Sequence, residues 1–193
     1  MSGGSTTTGN GRAGRPGAVA VGAVPRAVLG AVLGAAAIWG GALVEVPMTP
    51  VPMTLQTLAV LLAGGLGGAR VGLAAAALYL ALTLVGAPVL AGGRAAGGLA
   101  FLELKSGGYV VAFLAAGALA GTAPTGLVRS VLTMLGAHAI VLAVGWAWLA
   151  AFLGPTDALN FGVTPFLLGA AVKSIAAALV VKLVRSRRAG DRS

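Results

Sequence analysis

The chain has 193 residues, 58% of them hydrophobic and 9% charged, whereas a water-soluble domain is about 45–50% apolar and about 25% charged, so a soluble fold is excluded. At about 20 residues per span, this length accommodates roughly five to seven transmembrane helices in one domain. The net charge of +9 does not mark nucleic-acid binding, because the basic residues flank apolar spans and face an anionic cytoplasmic leaflet, and the lack of cysteine excludes disulfides and thiolate metal sites.

Residues 1–17 are rich in Gly, Ser and Thr, carry Arg12 and Arg15, and hold too little apolar surface to pack, which predicts a disordered cytoplasmic tail. A transmembrane domain over 18–185 and a basic cytoplasmic tail over 186–193 follow. The first predicted helix, 27–44, is uncharged and enters after Arg26. A signal peptide cleaved near Ala35, Ala36 and Ala37 is the rival reading, but the apolar run continues unbroken to Val44 and is long enough to span. Within it Ala27, Ala31 and Ala35 recur every fourth residue, a small-residue stripe suited to another helix.

Next comes a segment unlike ordinary apolar helices. Pro50 and Pro52 fix φ and withhold donors, so the chain approaches a helix that starts near Met53. Thr54, Gln56 and Thr57 fall in its first turn, placed either to hydrogen-bond a small ligand or to satisfy the open N–H groups there. This second helix, 53–66, and a third, 71–85, are short for a bilayer, and about fifteen residues reach only about 22 Å. Irregular backbone must therefore fill the remaining depth where protein buries it or a cavity lies beside it, and the segments 46–52 and 86–98 are the candidates.

The long connection 86–106 carries Pro88, Arg94, Glu103 and Lys105, and loops of this length tend to be functional. A fourth helix over 107–120, a fifth over 130–153, an outer loop over 154–162 and a sixth helix over 165–184 complete six spans. With both termini cytoplasmic, Arg12, Arg15, Arg26, Arg70, Arg129, Lys182, Arg185, Arg187, Arg188 and Arg192 lie inside, and only Arg94 and Lys105 lie outside. That asymmetry obeys the positive-inside rule for an even number of spans.

Lys173 falls near mid-depth of the sixth helix, where a lysine costs about 2.5–3.5 kcal/mol on insertion scales and usually faces a cavity or a partner. No acidic residue lies inside a predicted span, so the lysine bonds either a ligand or backbone carbonyls and water. His138, the single histidine, has no nearby ligand-forming residues for a metal and reads as a packed or interhelically bonded side chain. The glycine run from Gly64 to Gly68 lacks the Lys-Ser/Thr ending of a phosphate loop, so this chain holds no nucleotide site. No nucleophile-and-base pair falls within the spans, which argues against an enzyme.

Four ordered motifs carry a resemblance. They are the stretch from Pro50 through Thr54 and Gln56 to Arg70, the segment Gly86-Ala87-Pro88 to Gly93, the triplet Gly107-Gly108-Tyr109, and Pro165-Phe166-Leu167 followed by Lys173. Together with Tyr79-Leu80 they resemble the BioY family, the biotin-binding S components of energy-coupling-factor (ECF) vitamin transporters. The resemblance implies an all-α, six-helix membrane bundle in the bacterial cytoplasmic membrane that binds biotin through Thr54, Gln56, Gly93, Tyr109 and Lys173, without a cofactor. It also implies a transmembrane coupling protein, docked on Ala27, Ala31 and Ala35, and two ATPase subunits as partners, and it leaves a homo-oligomer open. The family pattern has an aspartate where this chain has Ala170, and Glu103 and Asp157 on outer loops are the candidates to supply an acceptor instead. The alternatives are an S component for another small vitamin and a membrane scaffold without a transport role.

Overall fold

The structure, a computed structural model, describes residues 23–190, so the expected tail over 1–17 lies outside the described residues. Helix α1 (Ala23–Leu43) leads into a small antiparallel hairpin of β1 (Glu45–Val46) and β2 (Met53–Thr54). Then come α2 (Gln56–Gly67), α3 (Ala69–Leu84), α4 (Gly107–Ala120), α5 (Leu127–Leu153), α6 (Pro155–Gly162) and α7 (Leu167–Gly190), with 3-10 turns at Ala91–Gly93, Gly98–Phe101 and Thr164–Phe166.

Three helical stretches, Arg26–Leu43, Leu127–Leu153 and Pro155–Gly190, are long and apolar enough to cross a membrane. Helices α2, α3 and α4 have 12, 16 and 14 residues, about 18, 24 and 21 Å at 1.5 Å per residue, against a hydrocarbon core of about 30 Å. At one end the hairpin and the 86–106 connection close over them. Val51, Val89, Leu90, Ala91 and Phe101 are buried there, and the backbone is tied down by Leu55 N–H to Gly41 O at 3.0 Å and Leu90 N–H to Arg94 O at 3.0 Å. Protein thus buries the irregular backbone, as the short helices require.

Several boundaries differ from the sequence expectation, and four bear on the site and its surroundings. Helix α2 starts at Gln56 rather than near Met53, because Met53 and Thr54 pair with Val46 and Glu45 as the second hairpin strand. The 154–162 loop is itself helical, with Gly154 at φ +82 turning the chain after α5, Pro155 in the first turn of α6 and Asp157 favourably placed beside its N-terminus. Pro165 sits in a 3-10 turn, so α7 begins at Leu167. Residues 186–190, expected in the tail, continue α7.

The proposed docking stripe also needs correction. Ala31 and Ala35 are 9% and 3% exposed, and between them Gly34 lies so close to α2 and α3 that an added Cβ would meet the Cβ atoms of Ala75 at 2.6 Å and Ala63 at 3.1 Å. The stripe therefore packs α1 inside its own bundle, and only Ala27 is exposed. Val28, Leu29, Val32 and Leu33 form the outward face of α1.

Elsewhere small residues let backbones meet directly. A Cβ on Gly72 of α3 would lie 2.7 Å from backbone atoms of both Gly117 in α4 and Gly64 in α2. At the end opposite the hairpin, the Arg185 guanidinium donates to Ala123 O and Gly65 O, both at 2.8 Å, and holds the last turns of α7 against α2 and the α4–α5 connection.

Candidate ligand-binding cavity

A cleft opens between the hairpin, α2, α4, α5 and α7, with an empty volume of about 640 Å³ including its mouth. Its wall is mainly apolar, with Val51, Leu90, Phe113, Val141, Leu142 and Phe166, and it carries a few polar side chains, the usual character of a small-molecule site.

Hairpin geometry delivers the first polar group. Because β2 ends at Thr54, the chain enters α2 with the Thr54 hydroxyl donating to Gln56 Oε1 at 2.9 Å and accepting the Gln56 N–H at 3.3 Å. Thr54 thus satisfies an open N–H of the first turn and also lines the cleft. Gln56 is buried and its amide donates to the Tyr79 hydroxyl, which in turn donates to Val89 O at 2.8 Å. This relay joins α2, α3 and the 86–106 connection and holds the Gln56 side chain in one position.

From the opposite side, α7 presents Lys173. Its ammonium donates to Thr54 O at 2.6 Å and to Thr57 Oγ1 at 3.4 Å, and among the described residues it has no carboxylate partner. A carbonyl and a hydroxyl solvate the charge without neutralising it. The ammonium can therefore still attract an anion or a strong acceptor, since both contacts are to neutral groups.

Tyr109 stands on α4 with its hydroxyl donating to Gly162 O at 2.7 Å and its ring 6.3 Å from that of Phe166. Gly145 of α5 makes room for that ring: a Cβ there would meet Tyr109 Cζ at 2.5 Å.

Thr54, Gln56, Tyr109 and Lys173 thus border one cleft, drawn from segments up to 119 residues apart. Gly93 does not border it, although the neighbouring Leu90 and Ala91 do. Glu103 and Asp157 are both exposed and lie off the cleft wall, which removes them as substitutes for an acceptor there. Ala170 does line the cleft.

The sequence reads His138 as a packed or interhelically bonded residue, and the interhelical bond is present, to Ser174 on α7. His138 also lines the cleft, and its Nδ1 is 2.8 Å from Ser174 Oγ. The signal that could have found it is helical spacing: Ala137, His138, Val141, Gly145 and Leu149 form the buried face of α5, which also receives Tyr109. Tyr79 was noticed only as part of a motif, and its role in fixing Gln56 emerges from the fold.

A sequence model of the BioY family matches residues 16–190. Among curated proteins, a probable biotin transporter BioY of Pyrococcus horikoshii is 38% identical over 142 residues, covering 74% of this chain and 85% of that one. The biotin transporter BioY of Rhizobium etli is 36% identical over 149 residues, covering 70% and 78%. Among solved structures, the S-component for biotin from an ECF-type ABC transporter superposes with a TM-score of 0.75 at 28% identity, covering 84% of this chain and 92% of that one. With nearly the whole chain matched in sequence and most of it in fold, this protein belongs to the BioY family.

Proposed function

We propose that this chain is the membrane-embedded substrate-binding subunit for biotin uptake, acting with an ATP-driven ECF module. The observation that carries the reading is the cleft itself, in which Lys173, Gln56 and Tyr109 converge from α7, α2 and α4 on one apolar cavity within a BioY-family fold. Biotin pairs an apolar bicyclic body and aliphatic chain with two polar ends, a cyclic urea and a carboxylate. The apolar wall suits the body and chain. Lys173 offers a charge to the carboxylate or to the urea oxygen, and Tyr109 and Phe166 offer aromatic faces to the ring system.

In the same reading both chain ends face the cytoplasm of the cytoplasmic membrane and the hairpin end faces outward, following the basic asymmetry. A transmembrane coupling protein and two ATPase subunits supply the energy, consistent with the ECF-type assembly from which the structurally similar S-component comes. Titration of the detergent-purified protein with biotin, followed by calorimetry or tryptophan fluorescence, tests this. Saturable binding is expected. No saturable biotin binding, with another vitamin bound instead, would overturn the substrate assignment, and the absence of any saturable ligand would favour a scaffold.

A further inference from the structure

Most of the polar side chains that face the cleft already have a partner within the protein. The Lys173 ammonium bonds Thr54 and Thr57, the Gln56 amide bonds Thr54 and Tyr79, and the Tyr109 hydroxyl bonds Gly162. His138 is different. It is 4% exposed, its Nδ1 is held by Ser174, and its Nε2 is buried with no partner among the described residues. Two other buried side-chain atoms among the described residues lack a hydrogen bond, Glu45 Oε2, which is ion-paired with Arg94 at 3.6 Å, and Ser130 Oγ, and neither belongs to the wall of this cleft.

His138 also borders a small void together with Thr57, Val60, Leu61, Ala116 and Val141. Thr57, His138 and Val141 are common to both, so the imidazole stands between the cleft and this packing void. A buried polar atom without a hydrogen bond is unfavourable, and a group that pairs with it gains more than the same group would gain in water. The ring is also pre-oriented, because Ser174 on α7 fixes it through Nδ1.

We infer that His138 Nε2 is a specificity-determining contact, an anchor on the cleft wall for a ligand carrying a compact urea- or amide-like edge. This rests on the reading of the cleft as a biotin site. A neutral imidazole offers either a lone pair or an N–H at Nε2, according to the tautomer set by Ser174 and by the Met134 backbone carbonyl one turn earlier on α5. A cyclic urea carries donor and acceptor side by side and satisfies both forms. A site with a buried polar group also rejects analogues that leave it unpaired.

The test compares the parent with a His138→Leu/Ser174→Ala double variant, which removes the orphan atom and its holder together. Biotin, desthiobiotin, which keeps the cyclic urea, and lipoate, which has an acid chain and a sulfur ring without a urea, are the probes in calorimetric titrations. Biotin and desthiobiotin should both bind about tenfold or more weakly, roughly the loss of one hydrogen bond to a buried group. Discrimination against lipoate should shrink by a similar factor, and the ligand-free melting temperature should not fall. His138→Phe, which keeps a ring of similar shape, should behave alike and serves if the double variant does not fold. Biotin affinity equal to the parent's in either folded variant overturns the inference, as does a loss of affinity that comes with lowered thermal stability. A parent that binds no biotin fails before any variant is compared, and that result overturns the functional reading itself.

Discussion

At the scale of single residues, Lys173 carries most of the chemistry and most of the cost. A lysine within a span is unfavourable, by about 2.5–3.5 kcal/mol at its centre on insertion scales, and two neutral contacts, Thr54 O and Thr57 Oγ1, hold Lys173 in place. Truncating one member of a desolvated, hydrogen-bonded charge pair typically costs about 2–5 kcal/mol of binding. Lys173→Ala should therefore weaken biotin binding by roughly 30-fold or more, while the melting temperature changes little, because the lost bond to Thr54 and the relief of a buried charge oppose one another. Lys173→Arg keeps the charge but replaces a point donor with a planar fork, and it should lose much of the binding as well. Calorimetry and thermal unfolding on the same sample decide the matter, and an unchanged affinity in a less stable protein would make Lys173 structural only.

At the scale of elements, helix contacts in this bundle are set by the absence of side chains. Gly64, Gly72 and Gly117 bring the backbones of α2, α3 and α4 together, and an added Cβ on Gly72 or Gly117 would run into backbone rather than a movable side chain. Gly117→Ala should therefore destabilise the protein by about 1–3 kcal/mol, seen as a lower melting temperature in detergent. Gly40→Ala is the control: nothing lies within 4 Å of its added Cβ, and relief of backbone entropy should leave stability equal or raise it by about 0.5–1 kcal/mol. Ala35→Leu belongs with the destabilising changes, since the residue is buried between α1 and its own bundle. It should lower thermal stability in the isolated subunit, and an unaltered melting curve would show that α1 shifts to accommodate it.

For the whole molecule, two ends differ in chemistry. Trp39, Trp146 and Trp148 all lie toward the hairpin end; Trp39 and Trp146 are exposed, as an aromatic belt would place them. Trp148 instead packs over Gly107 and Gly108 and donates to Leu104 O at 2.9 Å. Arg70, Arg129, Lys182 and Arg185 sit toward the opposite end, where Arg185 joins α7 to the α2 terminus. Because the chain has no cysteine, single cysteines report orientation without background. Leu99→Cys, in the exposed 3-10 turn of the long connection, should react with a membrane-impermeant maleimide on intact cells, whereas Ser186→Cys should react only after permeabilisation. The reverse pattern would invert the proposed topology.

The membrane class, six principal helices and the shortness of the second and third were legible in the sequence, because hydropathy and helix length are local quantities. Thr54, Gln56 and Lys173 stand out in the sequence as polar groups next to apolar runs, whereas Tyr109 is reached only through the family resemblance, and all four line the cleft. What only the tertiary structure decided was which faces meet. The alanine stripe of α1 reads equally well as a docking surface or as internal packing, and burial against α2 and α3 selects the second. The pairing of Met53 and Thr54 with Val46 and Glu45 is non-local, so it moved the start of α2 in a way no cap or propensity signals. His138 reads as one histidine in an apolar helix until Ser174, 36 residues on, takes one ring nitrogen and leaves the other unpartnered at the cleft. Hydrogen-bond satisfaction is a property of three-dimensional neighbours, so helical spacing places His138 on the buried face of α5 but does not show its unpartnered ring nitrogen.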